Sequence, residues 1–418
     1  MKVFKFGGAS VKDANGVRNV ASIISKYTDE QLVIVVSAMG KTTNALEKVC
    51  QAFFHQTGEA PALLEEVKAT HQRIIDDLFP NKNANLQQEF DSIIAELYWA
   101  IEETQIKSYD YEYDQIVSQG EFLSTRIVAA FLNDQNIKTQ WLDARDLIHT
   151  DNTYREGMVD WDKTKHAVSQ IIQPTKNSLL YLTQGFIGGT SENFTTTLGR
   201  EGSDYSAAIL AYCLDAESVT IWKDVPGVLN ADPREFPQAQ LLPELSYYDA
   251  IELAYYGATV IHPKTIKPLQ NKNISLFVKS FVDSTAAGTR IREDNLRQEV
   301  PTYIFKKDQV LISVSPRDFS FILEENLRDL FDLFTKFRAH VNVMQNSALS
   351  FSVCVSIEAN RLQSLLKELE LKYKVKYNEG CELITIRNYT DELAQKLIGS
   401  RPVLMEQKSR HTLQIVLR

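Results

Sequence analysis

The stretch KFGGAS, residues 5–10, follows directly on the apolar Val3 and Phe4. A tight turn uses glycine but has no need of a lysine at its mouth; a phosphate site uses both. Adjacent glycines let backbone N–H groups approach an anion closely, and a helix N-terminus just beyond adds a favourable dipole. At the end of a first apolar strand, this stretch predicts an α/β domain whose opening turn cradles phosphate, with Lys5 as the mobile charge. Taken alone it is equally a glycine turn beside an exposed lysine.

Working outward, the pattern to about residue 282 alternates strands and helices. Strand-like runs lie at Val3–Phe6, Leu32–Ser37, Leu179–Thr183, Ser218–Trp222 and Ile274–Val278. Several are apolar without alternation, as in parallel strands buried on both faces. Helical stretches fall at 14–27, 203–214 and 247–256, the last opened by Ser246 with Asp249 and closed by Gly257. Residues 60–130 are a long helical excursion.

Other stretches offer chemistry at strand ends. SAMGKTTN (37–44) tempts a P-loop reading, but that motif needs glycine at 35, where Val35 stands. What remains is a hydroxyl-rich loop, Ser37, Thr42 and Thr43, which is a ligand loop or a helix cap. In VSQGEFLST (117–125), Glu121 sits in a first helical turn, where a glutamate ordinarily serves the dipole. TTTLGREGSDYSAA (195–208) sets Arg200 between Gly199 and Gly202 and starts a helix with Ser203–Asp204. That makes a second anion nest with an arginine fit to grip a carboxylate, although Asp204 is also a good cap. IWKDVPGVLNADPR (221–234) runs from a strand into a turn-rich loop bearing Asp224, Asp232 and Arg234.

Residues 283–301 are small, polar and charged, and read as a linker. Beyond it a βαββαβ order appears over 302–380, then begins again over 381–418 and stops short. After Pro301 there are 17 Lys+Arg against 14 Asp+Glu, so the larger domain carries the acidic excess behind the net charge of −9. That charge argues against nucleic-acid binding. Four scattered cysteines suggest neither a disulfide framework nor a zinc site. The longest apolar run, Ala207–Leu214, is too short to span a membrane, and the N-terminus lacks a signal-peptide core. A reducing, cytoplasmic setting is expected.

In this order and spacing, KFGGAS, VSA…TN, VSQGEFLS, TTTLGREGSD, WKDVPGV…DPR and GATVIHP (257–263) resemble the motifs of aspartate kinases. The resemblance covers almost the whole chain. It implies a three-layer αβα sandwich with a largely parallel central sheet (the amino-acid kinase fold) over 1–282. It also implies ferredoxin-like ACT modules at 302–380 and, shortened, at 381–418. Lys5 and Asp204 then correspond to the catalytic lysine and its organising aspartate. Thr43, Glu121, Arg200 and Ser203 correspond to the aspartate site. Lys5, Phe6, Gly7, Gly8, Ser37, Lys223, Asp224, Arg234, Thr259 and Val260 correspond to the nucleotide site. The implied ligands are ATP, Mg²⁺ and L-aspartate, with a homodimer through the ACT modules, an amino-acid effector, and no nucleic-acid or membrane partner.

The chain departs from the family pattern at several points. Ala9 removes a hydroxyl near the phosphates, Lys223 replaces a common threonine, Leu229 a common tyrosine, and Thr259 a common lysine. We expect Lys223 to supply the charge missing at 259. Asn342 and Ala348 stand where lysine-sensitive members have acidic residues, which weakens the case for lysine feedback. The rivals are a sister kinase acting on glutamate or N-acetylglutamate, and a catalytically silent amino-acid sensor.

Overall fold

A computed structural model describes the chain except residues 105, 174–178, 258–260, 294–299 and 319. In chain order the first ten strands are β1 (Lys2–Phe6), β2 (Leu32–Val36), β3 (Thr139–Leu142), β4 (Leu180–Gln184), β5 (Ile187–Gly189), β6 (Thr195–Thr197), β7 (Ser218–Lys223), β8 (Glu244–Ser246), β9 (Ser275–Ser280) and β10 (Thr289–Arg292). Eight of them form one sheet in the order β3-β4-β2-β1-β7-β9-β10-β8, parallel from β3 to β9. β5 and β6 make a separate hairpin.

β1 and β2 sit at the centre because their side chains are apolar on both faces: Val3, Phe6 and every residue of Leu32–Val36 are buried. From β1 the chain moves to β2 and β4 on one side, and returns much later to β7 on the other. Such a switch in direction leaves a crevice outside the C-terminal ends of the strands, where open α/β sheets take ligands. Phe6 closes the sheet below that crevice, stacked on Trp222 with ring centroids 5.9 Å apart.

Helices cover the sheet. α1 (Ala14–Ile24) starts where the Asp13 carboxylate accepts from the Gly16 N–H at 2.8 Å and buries Val17, Val20, Ile23 and Ile24. α2 (Thr42–Phe54), α3 (Ala60–Leu78), α4 (Ala84–Glu102), α5 (Tyr109–Val117) and α6 (Gln119–Asp134) make the helical excursion. α7 (Ala144–Leu147), α8 (Trp161–Ile171), α9 (Gly202–Cys213), α10 (Tyr247–Tyr256) and α11 (Pro263–Asn271) follow. The small side chains of α9 bury it almost all round, and it lies against β1 and β7.

The stretch read as a linker, 283–301, is in part structural. Thr289–Arg292 forms β10, antiparallel to β9, because Thr289 and Ile291 alternate with Arg290 and Arg292 and turn inward, the Thr289 hydroxyl donating to the Leu242 carbonyl. The local polarity concealed a period of two.

The chain divides into two units: Met1–Val228, Leu241–Ile251 and Thr259–Leu296 in one, and Leu229–Gln240, Glu252–Ala258 and Arg297–Arg418 in the other. The second unit holds β11 (Thr302–Pro316), α12 (Glu324–Lys336), β12 (His340–Asn346), β13 (Phe351–Ser356), α13 (Ala359–Lys372), β14 (Tyr373–Arg387), α14 (Asp391–Ile398), β15 (Val403–Lys408) and β16 (Thr412–Leu417). Its antiparallel sheet has the order β12-β13-β11-β14-β16-β15. β11 and β14 are continuous through both βα repeats. The sequence reading broke β14 near Gly380, whereas the structure absorbs that glycine, at φ +66°, in a register shift opposite Gln309–Leu311. The shortened repeat finds its missing strand in Thr302–Lys306, which pairs with Leu383–Arg387. Among the described residues no helix is long and apolar enough to cross a membrane.

Candidate active site

The first unit gathers four charged side chains at the C-terminal ends of β1 and β7 and the start of α9. Lys5 Nζ lies 2.6 Å from Asp204 Oδ1, and Lys223 Nζ lies 3.3 Å from Asp204 Oδ2 and 3.6 Å from Glu201 Oε2. Asp204 is 2 % exposed. Burial alone would favour its neutral form, but Lys5 and Lys223 outweigh it and hold the carboxyl down at about 2. Lys223 is half-buried, which works against its charge, yet Asp204 and Glu201 hold its ammonium above the ordinary lysine range.

The glycine pair performs two different tasks. A Cβ on Gly7 would stand 3.3 Å from Lys5 Nζ, so its absence leaves the amine room. A Cβ on Gly8 would stand 2.7 Å from the Ala38 carbonyl oxygen and 2.9 Å from that of Gly40. Only glycine lets the 37–41 loop pass so closely, and the Gly40 N–H donates to the Gly8 carbonyl at 3.0 Å. The Ser37 N–H donates to the Phe6 carbonyl at 3.1 Å, which docks the second loop on the first strand. Phe6 itself offers a ligand no side chain, being fully buried.

Glu121 enters from α6. Gly120 lets that helix approach closely, since a Cβ there would lie 3.0 Å from Thr42 Cγ2 and 3.3 Å from Ala38 Cβ. The Glu121 side chain is buried and its Oε2 has no hydrogen-bond partner. Burial pushes its carboxyl up to about 8, against the opposing pull of Lys5 and the Ala38 N–H. Burial favours the neutral acid in the empty site, and a cation entering beside the vacant oxygen would favour release of the proton, so the group is a receptor for an ammonium. Thr43 lies half-buried in the first turn of α2. Ser203 is buried against Gly185, where a Cβ would meet the serine Cβ at 2.5 Å.

Three groups behind these residues escaped the sequence reading. Asp114 accepts the Thr197 N–H at 2.9 Å, the Thr197 hydroxyl at 2.7 Å and the Arg155 N–H at 2.8 Å, so it anchors the strand leading to Gly199 and Arg200. His71 is buried; its Nδ1 donates to the Val67 carbonyl at 2.8 Å and its Nε2 lies 3.3 Å from the Thr42 hydroxyl. Ser124 donates to the Ser37 carbonyl at 2.7 Å. The sequence carries only a weak signal for any of them, because each acts through a partner far along the chain.

Arg200 is exposed in the turn between Gly199 and Gly202, and its charge helps to hold His262 below the usual histidine range, after burial and Lys264. Asp224 is exposed just past β7. Arg234 belongs to the second unit, where it is bidentate to Asp232. Thr259 and Val260 lie outside the described residues.

Residues 1–280 match the model of the amino acid kinase family. Aspartokinase 2, chloroplastic, of Arabidopsis thaliana is 30 % identical over 92 % of this chain and 73 % of its own length. The chain belongs to the aspartokinases. Lysine-sensitive aspartokinase 3 of Escherichia coli (strain K12) is 29 % identical to this aspartokinase chain over 92 % of it and 86 % of the relative. Against relatives that are bifunctional aspartokinase/homoserine dehydrogenases, the chain spans 37 % of the one from Buchnera aphidicola and 42 % of one from Arabidopsis thaliana. Among solved structures, E. coli aspartokinase III in complex with lysine and aspartate superposes on the whole chain and 95 % of its own, with TM-score 0.84 and 27 % identity. The same enzyme in complex with aspartate and ADP gives 0.83 and 26 %. The aspartokinase family thus accounts for both the parallel sheet and the C-terminal antiparallel one.

Proposed function

We propose that the chain transfers the γ-phosphoryl group of ATP to the side-chain carboxylate of L-aspartate, giving 4-phospho-L-aspartate. The observation that carries this reading is Glu121, whose buried, unpartnered oxygen beside Lys5 suits the α-ammonium of an amino acid held next to a phosphate. The acceptor carboxylate has an ordinary pKa of about 4, is ionised at neutral pH and needs no general base. What it needs is relief from repulsion by the triphosphate, and alignment.

Lys5 offsets the repulsion between the acceptor carboxylate and the transferred phosphoryl group, while Asp204 fixes its ammonium in place. Backbone N–H groups around Gly7 and Gly8 hold phosphate oxygens without reorganising. Arg200 takes the α-carboxylate, Glu121 the α-ammonium, and the Thr43 and Ser203 hydroxyls orient the side chain. Phe6 (through its backbone), Ser37, Lys223, Asp224, Thr259 and Val260 complete the nucleotide site, with Lys223 serving where position 259 lacks a lysine. Among the described residues no group of three or more His, Cys, Asp or Glu side chains forms a metal cage. Mg²⁺ brought in with ATP would be held mainly through the phosphates and would supply charge neutralisation there.

The proposal extends to a cytoplasmic homodimer joined through the ACT modules and to an amino-acid effector. Asn342 is committed to Lys306, Gln309 and Ser356 at 2.7–2.8 Å, which disfavours it as the receptor of a lysine ammonium. Turnover with L-aspartate, L-glutamate, N-acetylglutamate and UMP in parallel, with hydroxylamine trapping of acyl phosphate, tests the reaction. Aspartate-dependent hydroxamate is expected. Turnover on another acceptor only, or nucleotide binding without turnover, would overturn it.

A further inference from the structure

Glu201 stands in the left-handed region at φ +53°, between Gly199 and Gly202. A non-glycine residue there costs about 1–2 kcal/mol that glycine would not. Something in the side chain must offset that cost. Its carboxylate reaches the charged row already described, which in order runs Glu201, Lys223, Asp204, Lys5, alternating in sign. Fully ionised, the row is neutral, so an arriving triphosphate must take a cation from a carboxylate.

The distances say which cation is taken. Lys5 is held at 2.6 Å by Asp204, whereas Lys223 is shared more loosely at 3.3 and 3.6 Å. Once Lys223 moves to phosphate, Glu201 is left facing Asp204 and the ligand, both anionic. We infer that Glu201 is a positioning residue of the nucleotide site: its carboxylate parks Lys223 against Asp204 in the empty site, and takes up a proton when phosphates draw Lys223 away. The inference rests on the reading of this crevice as the nucleotide site.

The charged groups facing Glu201 are Lys223 from β7, Asp204 from α9 and Lys5 from β1. Burial and the Asp204 charge already push its carboxyl above the usual range, against the pull of Lys223 and Lys5. Loss of Lys223 removes the nearer of the two opposing cations. ATP binding therefore carries a proton in with it, and affinity for nucleotide falls as pH rises through the titration of Glu201 in the liganded site.

The test is calorimetric titration of the full chain with magnesium AMP-PNP at pH 7.5, in Tris and in HEPES, whose ionisation enthalpies differ. Wild type should take up as much as about one proton per nucleotide bound. Glu201→Gly, which relaxes the backbone and so keeps the fold, should show almost none, and Glu201→Gln the same. Binding by wild type without uptake, or equal uptake by Glu201→Gly, would overturn the inference while leaving the nucleotide site standing. No binding at all would overturn the nucleotide reading and this one with it.

Discussion

Replacing Glu121 by glutamine should make the ligand-free protein more stable and the enzyme much worse. The Glu121 carboxyl is displaced upward to about 8 because burial outweighs Lys5 and the Ala38 N–H. The sign follows from that displacement. Below about pH 4.5 the group is protonated in both folded and unfolded chains and costs nothing. As pH rises toward 8 the unfolded chain releases the proton and the folded one keeps it, so stability is progressively lost. At pH 7 the loss is about 3 kcal/mol relative to a group that does not titrate. Glutamine keeps the shape without the titration, so Glu121→Gln should melt several degrees higher at pH 7. The two proteins should converge near pH 5. With substrate the balance reverses, because the variant leaves the aspartate ammonium buried without its counter-charge. An uncompensated buried charge costs about 3–5 kcal/mol, so kcat/KM for aspartate should fall at least about a hundredfold. Melting curves from pH 5 to 8 beside steady-state kinetics decide the matter. A variant no more stable at pH 7, or one with unchanged kcat/KM, would refute the reasoning.

Three further changes probe the rest of the site. Asp204→Asn should cut turnover at least about a hundredfold. It should also abolish the loss of about 2 kcal/mol of stability that wild type shows between about pH 4 and pH 2, as its depressed carboxyl protonates; acid titration by circular dichroism reads this. Lys223→Ala should raise the KM for ATP about 10- to 100-fold, the worth of a charge-assisted contact, while an unchanged value would remove Lys223 from the nucleotide site. Gly8→Ala forces a methyl group against two backbone carbonyls and should cost about 1–3 kcal/mol, seen as a lower denaturant midpoint.

Much of the fold was legible because its signals are local. Leu32–Val36 has no polar residue to confuse the reading, and the α12–α13 repeat keeps its period throughout. β3 and β8 were missed: Thr139–Leu142 and Glu244–Ser246 are short and half polar, and become strands only by pairing with β4 and β10. At the site, KFGGAS and the Asp204 turn announce their chemistry in residue type and spacing. Glu121 does not. A glutamate in a first helical turn is ordinary, and what sets it apart is burial imposed by Gly120 closing on the 37–42 loop. Glu201 was invisible for a related reason, since neither a left-handed backbone nor a lysine 22 positions on can be read from three neighbouring letters.

The long strands of the second unit bear on how such a chain can be cut or shuffled. Thr302–Lys306 closes the last repeat and Gln309–Pro316 the first, yet they are one strand, and β14 serves both repeats in the same way. A break after Gly380 would strip the partner from the first five residues of β11 and leave an apolar edge, Tyr303 and Ile304 among it, open to adhesion by other chains. Recombination in this part of the gene should therefore respect the pair.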